Sequence, residues 1–205
     1  MGLYAKHIFP RLMNAMMSGA AFDELRRAVL AGVSGAVLEV GFGTGLNLPH
    51  YPPGLTRLTA IDANPGMSAL ARRRLAASPL QVQHEVLDGE RLPMPDASFD
   101  HVVCTWTLCS IPRPERALDE MRRVLKPAGR LHFIEHGLSP EPGVQKWQRR
   151  LNPLNKVLAC GCHLNRDMEA LIAGQGFRFE TLDKFYQPKE PRFAGYLYQG
   201  VAAKA

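Results

Sequence analysis

Val37-Leu38-Glu39-Val40-Gly41-Phe42-Gly43-Thr44-Gly45-Leu46-Asn47 is the stretch on which the reading of this chain turns. An apolar strand, interrupted only by Glu39, runs into a turn with glycine at every second position. Glycine there lets φ become positive and lets a ligand approach the main chain with no Cβ in the way. The dinucleotide fingerprint does not fit, because its third glycine would fall at Leu46 and stands instead at Gly45. The phosphate loop of nucleotide hydrolases fails as well, since no Lys-Ser or Lys-Thr follows.

Outward from this turn, the run 58–62 ends on Asp62, a carboxylate at a strand terminus where it can accept both hydroxyls of a ribose, with Ala63 beside it. One strand later comes Asp88-Gly89-Glu90, placed to meet an adenine edge. A glycine turn, a ribose acid and a third acidic site on successive strand ends describe an adenosine pocket.

The surrounding pattern supports that placement. Strands are expected at 36–40, 57–61, 80–86, 101–105, 129–135, 177–184 and 196–202, with helices at 45–50, 65–77, 114–125 and 165–175. Pro65 and Pro114 open two of the helices, where a missing N–H costs little, and Gly129 and Gly176 come after the ends of 114–125 and 165–175. Alternation of this kind implies an α/β fold with a mostly parallel sheet and helices on both faces. The last two runs are separated only by a turn region at 188–191, so they form an antiparallel C-terminal hairpin at the sheet edge.

Residues 1–34 read as an amphipathic helical cap, with Met13, Met16 and Met17 at helical spacing followed by Phe22, Leu25, Val29 and Leu30. The main domain then covers 35–205. Within it, 137–163 breaks the rhythm with Pro140, Pro142 and Pro153 and reads as a lid-like insertion at the carboxyl edge of the sheet, where ligands bind in open α/β folds. At 205 residues the chain suits one domain with a modest appendage, and 46% hydrophobic with 21% charged residues excludes wholesale disorder. No apolar run is long enough to span a bilayer, and the N-terminus lacks a signal-peptide core, so a cytoplasmic address is expected. The net charge of +6 is spread over separate short runs such as Arg26-Arg27 and Arg72-Arg73-Arg74, the pattern of solvated helix faces. No nucleic-acid partner is expected. The four cysteines, Cys104, Cys109, Cys160 and Cys162, lack CxxC spacing, so free thiols and no metal are expected.

On these residues the chain resembles the class I S-adenosylmethionine-dependent methyltransferases over roughly 35–202, in the broad group that includes quinone C-methyltransferases. The stretches Leu38–Gly45, Val103-Cys104-Thr105-Trp106-Thr107-Leu108-Cys109-Ser110, Ile134-Glu135-His136 and Cys160-Gly161-Cys162-His163-Leu164 are closer still to the alkyl thiol methyltransferases, the methyltransferase-like family 7. Phe42 departs from the cysteine common there, and nothing here matches the N-terminal membrane anchor of animal members. No integral membrane association is therefore expected, although peripheral contact is compatible.

The resemblance implies a Rossmann-like seven-stranded fold and S-adenosylmethionine as cofactor, leaving as S-adenosylhomocysteine. Glu39, Gly41, Gly43, Gly45 and Asn47 would surround its methionine moiety, with Asp62 and Ala63 at the ribose and Asp88 and Gly89 at the adenine. Cys104, Thr105 and Leu108 would lie near the transferred methyl. His136, following the fifth strand, is the candidate for taking a proton from the acceptor, because imidazole titrates near neutrality. Cys109, Trp106, Trp147 and His163 are candidates for contact with a small lipophilic acceptor, with the methionines of the cap helping to form its pocket.

A thiol is the expected acceptor. A thiol is already partly ionised at neutral pH, so no strong base is needed. Quinone carbon and phospholipid amine acceptors are the alternatives within the class. An RNA or protein methyltransferase is disfavoured, because the strand-four exit reads Cys104-Thr105-Trp106-Thr107 instead of the Asp/Asn-Pro-Pro-aromatic motif that holds a base amine. A non-catalytic binder of the cofactor would carry the same glycines and Asp62.

Overall fold

Strand β1 (Val37–Val40) is buried at all four positions, Glu39 included, as a central strand covered on both faces requires. The computed structural model describes residues 2–205. In it, β1 pairs in parallel with β2 (Arg57–Ile61) and β4 (Phe99–Thr105). Strands β3 (Gln81–Glu85), β5 (Leu125–His136), β6 (Phe177–Tyr186) and β7 (Tyr196–Lys204) complete one seven-stranded sheet in the order β3-β2-β1-β4-β5-β7-β6. β7 runs antiparallel to both β5 and β6, so the expected C-terminal hairpin closes one edge.

Period-two alternation divides the core between the two faces. Val102, Cys104 and Phe133 pack with Leu118 and Met121 of helix α4 (Pro114–Val124) in one cluster. Their strand neighbours Val103 and Ile134 join Val29 and Leu30 of helix α2 (Ala20–Leu30) in the other. Helix α4 buries Ala117, Leu118, Met121 and Val124, a stripe at helical spacing. Met121 is 0% exposed, so Met121→Ala should cost about 2–5 kcal/mol in chemical denaturation, the range for truncating a core side chain.

Helix α3 (Pro65–Ala77) starts where predicted, with Asn64 capping the Gly66 N–H at 2.9 Å and Pro65 in the first turn. Helix α6 (Met168–Gly174) is capped by Asp167. One expectation is corrected and one segment gains a helix that was not foreseen. The helix expected at 45–50 is only a short 3-10 turn, Leu48–His50, because glycine turn and proline leave no room for a longer one. The segment 137–163 contains a seventeen-residue helix, α5 (Pro142–Leu158), which tolerates Pro153 inside it.

The N-terminal segment forms a π-helical turn (Tyr4–Ile8) and α1 (Phe9–Met16) before α2. It is tied across the carboxyl edge of the sheet by specific bonds. Asn64 Nδ2 donates to the Ala5 carbonyl, Arg74 donates to Asn14 Oδ1 and to the Thr44 carbonyl, all at 2.9 Å, and the Tyr4 hydroxyl donates to the Leu158 carbonyl at 2.7 Å. Cap and α5 thus meet over one rim. Among the described residues no helix is long and apolar enough to cross a membrane.

Candidate active site

At the end of β1 the chain must leave the sheet at once, and both the Gly41 and Phe42 N–H groups bond the Ile61 carbonyl at 2.9 Å. Gly41 has φ +81°, and a Cβ there would lie 2.0 Å from Thr107 Oγ1, so only glycine fits. The Gly43 N–H donates to Asp62 Oδ2 at 2.8 Å and the Asn64 N–H to Asp62 Oδ1 at 2.7 Å. The glycine turn and the β2 acid are therefore one assembly. Burial raises the Asp62 pKa, and these two main-chain bonds hold it back.

Behind the turn, Glu39 is 1% exposed. Tyr51 donates its hydroxyl to Oε2 at 2.7 Å and Asn47 Nδ2 donates to Oε1 at 2.8 Å, while Asn47 also reaches Thr105 Oγ1 at 3.0 Å. Burial pushes the Glu39 carboxyl up to about 7, with the two donors and the Arg26 cation opposing it. Asn47 Oδ1 is buried with no hydrogen-bond partner among the described residues. Arg26 faces the same place from α2, 2% exposed; among the described residues its Nε and Nη1 make no hydrogen bond, Nη1 lies 3.6 Å from Asp23 Oδ1, and burial draws its pKa down to about 10. Its guanidinium lies 5.0 Å from the centroid of Trp106, which sits at φ +51° directly after β4.

The exit from β4 is clamped by a second buried acid. Glu135 accepts the N–H groups of Thr107 and Leu108 at 2.7 and 2.8 Å through Oε1, and that of Cys109 at 3.2 Å through Oε2. Burial raises its pKa to about 7 against those three bonds. Next along β5, His136 Nε2 lies 3.1 Å from Cys162 Sγ and 3.1 Å from the His163 carbonyl. A Cys109 thiol hydrogen bond and the neighbouring His136 draw the Cys162 thiol far below the usual range. Burial alone would lower the His136 pKa, but the Cys162 sulfur outweighs it and the net direction is up.

Much of this borders one cavity of about 760 Å³ between the sheet rim, the cap and α5, with Tyr51 and Glu135 lying behind its wall. Glu39, Gly41, Gly43, Asn47, Asp62, Ala63, Asp88, Gly89 and Thr105 line it, together with Trp106, Cys109 and His136. Met13, Met16 and Met17 of the cap line it too, as do Phe9, Leu158 and Ala159.

Five of the predicted site residues lie elsewhere. Gly45 shapes the turn, where a Cβ would press on Leu48 and Phe42 at 3.2 Å, and does not border the cavity. Cys104 alternates onto the opposite face from Thr105 and is 0% exposed in the α4 core. Leu108 is buried in the same core and acts through its N–H on Glu135. Trp147 is 57% exposed on the outer face of α5, next to Arg150. The inward residue there is Gln148, which accepts the Ser139 N–H and donates to the Gly137 carbonyl. His163 offers main chain only, its carbonyl to His136 and its N–H to the Cys109 carbonyl at 2.8 Å.

Sequence reasoning passed over Arg26, Tyr51, Glu135 and Cys162 as site residues. Cys162 stood inside a stretch quoted for resemblance, and a glutamate within the apolar run before His136 was the available signal for Glu135.

A central parallel sheet with a glycine turn after β1, an acid after β2 and a cavity over the carboxyl ends defines a nucleoside-binding α/β enzyme fold. A family model described as a methyltransferase domain matches residues 38–133. The thiol S-methyltransferase TMT1B of Homo sapiens is 37% identical over 177 residues, which cover 79% of this chain and 72% of that protein. TMT1B of Rattus norvegicus is 42% identical over 146 residues, covering 67% of this chain and 59% of the relative, so the match extends over about three fifths of that relative's length. Among solved structures, the [4+2]-cyclase SpnF superposes with a TM-score of 0.70 at 21% identity, covering 89% of this chain and 80% of that one. A methyltransferase from Aquifex aeolicus does so with a TM-score of 0.64 at 18% identity, over 96% and 98% of the two chains. At such identities these structures speak for the fold alone. The chain belongs to the class I S-adenosylmethionine-dependent methyltransferases, close to the thiol S-methyltransferase group.

Proposed function

We propose that this protein methylates the sulfur of a small lipophilic thiol, with S-adenosylmethionine as donor. The observation that carries the reading is one cavity whose lining combines Asp62 and the glycine turn with His136, Cys109 and the apolar side chains of Phe9, Met13, Met16, Met17 and Leu158. The relatives named thiol S-methyltransferase support the choice of acceptor.

The residues present fit this cofactor. Gly43, at φ +59°, has only the Gly41 carbonyl near where a Cβ would stand, at 3.9 Å, and Gly89 packs against Val40 so closely that a Cβ would lie 3.0 Å from it. Asp62 would hold the ribose, and Asp88 and Gly89 the adenine edge. The orphaned Asn47 Oδ1 and the Glu39 carboxylate suit an ammonium, and the Arg26 guanidinium, whose Nε and Nη1 make no hydrogen bond, suits the carboxylate of the same amino acid. When bound, the cofactor supplies an electrophilic methyl group on a sulfonium. The protein's part is to align the acceptor with it and to keep water out. The cap and α5 do the second, and the apolar wall of Phe9, Met13 and Leu158 does the first for a lipophilic group.

His136 promotes loss of the acceptor's proton in this reading. His136→Ala should lower transfer to thiols by about 100-fold or more while leaving cofactor affinity within about twofold, measured by calorimetry beside the activity assay. Incubation with labelled S-adenosylmethionine and a panel of aliphatic thiols, phenols and phosphatidylethanolamine tests the acceptor class. Label should pass to thiols. Label found only in the phenols would move the reading to carbon or oxygen methylation. Label found only in the amine lipid would favour the activity named for a relative from Cereibacter sphaeroides, 37% identical over 123 residues.

A further inference from the structure

Cys109, His136 and Cys162 each offer one ligand atom, and those atoms all lie within 4.8 Å of one another on the cavity wall. They reach this point from separate parts of the chain. Cys109 comes from the turn clamped by Glu135, His136 from the end of β5, and Cys162 from a left-handed turn with Cys160 at φ +47° and Gly161 at φ +100°. The three segments are laced together. The His163 N–H donates to the Cys109 carbonyl at 2.8 Å, and Asn155 Nδ2 donates to the Cys162 carbonyl at 2.8 Å. Cys109 and Cys162 are buried and are free thiols.

Two thiol sulfurs and an imidazole nitrogen are a donor set that zinc and its neighbours favour. Three protein ligands with a fourth position open is the arrangement of reactive zinc sites, whereas structural sites close all four. Ligand atoms of a tetrahedral zinc lie about 3.5–3.8 Å apart, given bonds of roughly 2.0–2.3 Å. The observed His136 Nε2 to Cys162 Sγ distance of 3.1 Å needs to open by only about half an ångström.

We propose that Cys109, His136 and Cys162 bind a zinc-type divalent cation whose fourth position opens into the cavity and takes the acceptor's sulfur as a thiolate. The metal stands where His136 Nε2 and Cys162 Sγ now share a hydrogen bond, and His136 gives up its contact with the His163 carbonyl. Loading releases the protons of the cysteine thiols, and coordination of the acceptor releases its S–H proton to water. The metal–sulfur bond replaces a metal–water bond, and no electron changes hands. The choice of acceptor rests on the thiol reading above; the metal site itself rests on the three side chains.

The test uses the untagged full chain, reduced and metal-free, with Co²⁺ alone as the probe. One equivalent should bind, with the intense visible bands of a tetrahedral ion and near-ultraviolet thiolate charge-transfer bands, and Zn²⁺ should displace it. Cys109→Ala and Cys162→Ser should each weaken binding by more than the roughly 10–100-fold typical of losing a mere supporting partner. Cys160→Ser should not weaken it. Calorimetric binding of S-adenosylhomocysteine by each variant shows that it is folded. Ethanethiol added to the cobalt protein should strengthen the charge-transfer bands and shift the visible ones. Failure to retain cobalt or zinc, or retention indifferent to both cysteines, overturns the site. Visible bands that ignore the added thiol overturn the open fourth position. Cobalt binding is read without methyl transfer, so a failed metal site leaves the acceptor panel to judge the thiol reading on its own.

Discussion

Asp62→Ala should weaken binding of S-adenosylhomocysteine by roughly 10- to 150-fold, or about 1.5–3 kcal/mol, the range for hydrogen bonds to a charged group. Two losses combine in that figure. The carboxylate that would accept the ribose hydroxyls is gone, and so is the acceptor that fixes the Gly43 and Asn64 N–H groups at 2.8 and 2.7 Å. Asp62→Asn separates them. One amide oxygen can still accept from the turn, so the asparagine variant should keep more of the thermal stability than of the affinity. Isothermal calorimetry and a melting curve on both variants check this, and unchanged affinity in the alanine variant would show that the ribose lies elsewhere.

Glu39→Gln should move stability and affinity in opposite directions. The Glu39 carboxyl titrates at about 7 in the fold, raised by burial from its usual 4.5. The folded protein therefore holds more protons than the unfolded chain between those values, and the stability linked to Glu39 is lost as pH rises towards 7. A glutamine mimics the protonated acid. At pH 8 the variant should be more stable by about 1–3 kcal/mol in urea, with the gain vanishing near pH 4.5. Glu135 shifts in the same direction, so only the difference between the two proteins isolates Glu39.

Cofactor binding adds the opposite sign. An ammonium beside Glu39 favours the ionised form, so binding releases a proton below pH 7 and affinity falls by up to about tenfold per pH unit there. The glutamine variant should bind more weakly at pH 8 and lose this slope. Calorimetry in two buffers of different ionisation heat measures the proton release directly. A variant that binds as tightly as the parent at pH 8 would remove Glu39 from the amino-acid end.

Most of the sheet was legible because its signals are local. Val37–Val40, Arg57–Ile61 and Pro65–Ala77 are each bounded by glycine, proline or an acid that ends one periodicity and begins another. Helix α5 was missed because Pro153 reads as a breaker, although the helix continues through it and the buried Gln148 anchors its first half to Ser139 and Gly137. Trp147 misled for a related reason. Side-chain size marks a candidate contact, but helical phase, fixed by tertiary packing, turned it outward and Gln148 inward.

The site divides along the same line. The strand-end motifs are short and local, and Asp62, Asp88 and Gly89 all line the cavity. Cys104 failed because the strand alternation that buries it also exposes Thr105 to the cavity. The Cys109, His136 and Cys162 cluster has no sequence spacing to betray it, since a turn, a strand end and a helix exit bring the three together only on folding.

Equilibrium dialysis of the purified chain against labelled S-adenosylmethionine bears most directly on the account. One equivalent retained per chain and expelled by S-adenosylhomocysteine is the predicted result. A chain that is folded by circular dichroism yet retains neither compound would contradict it.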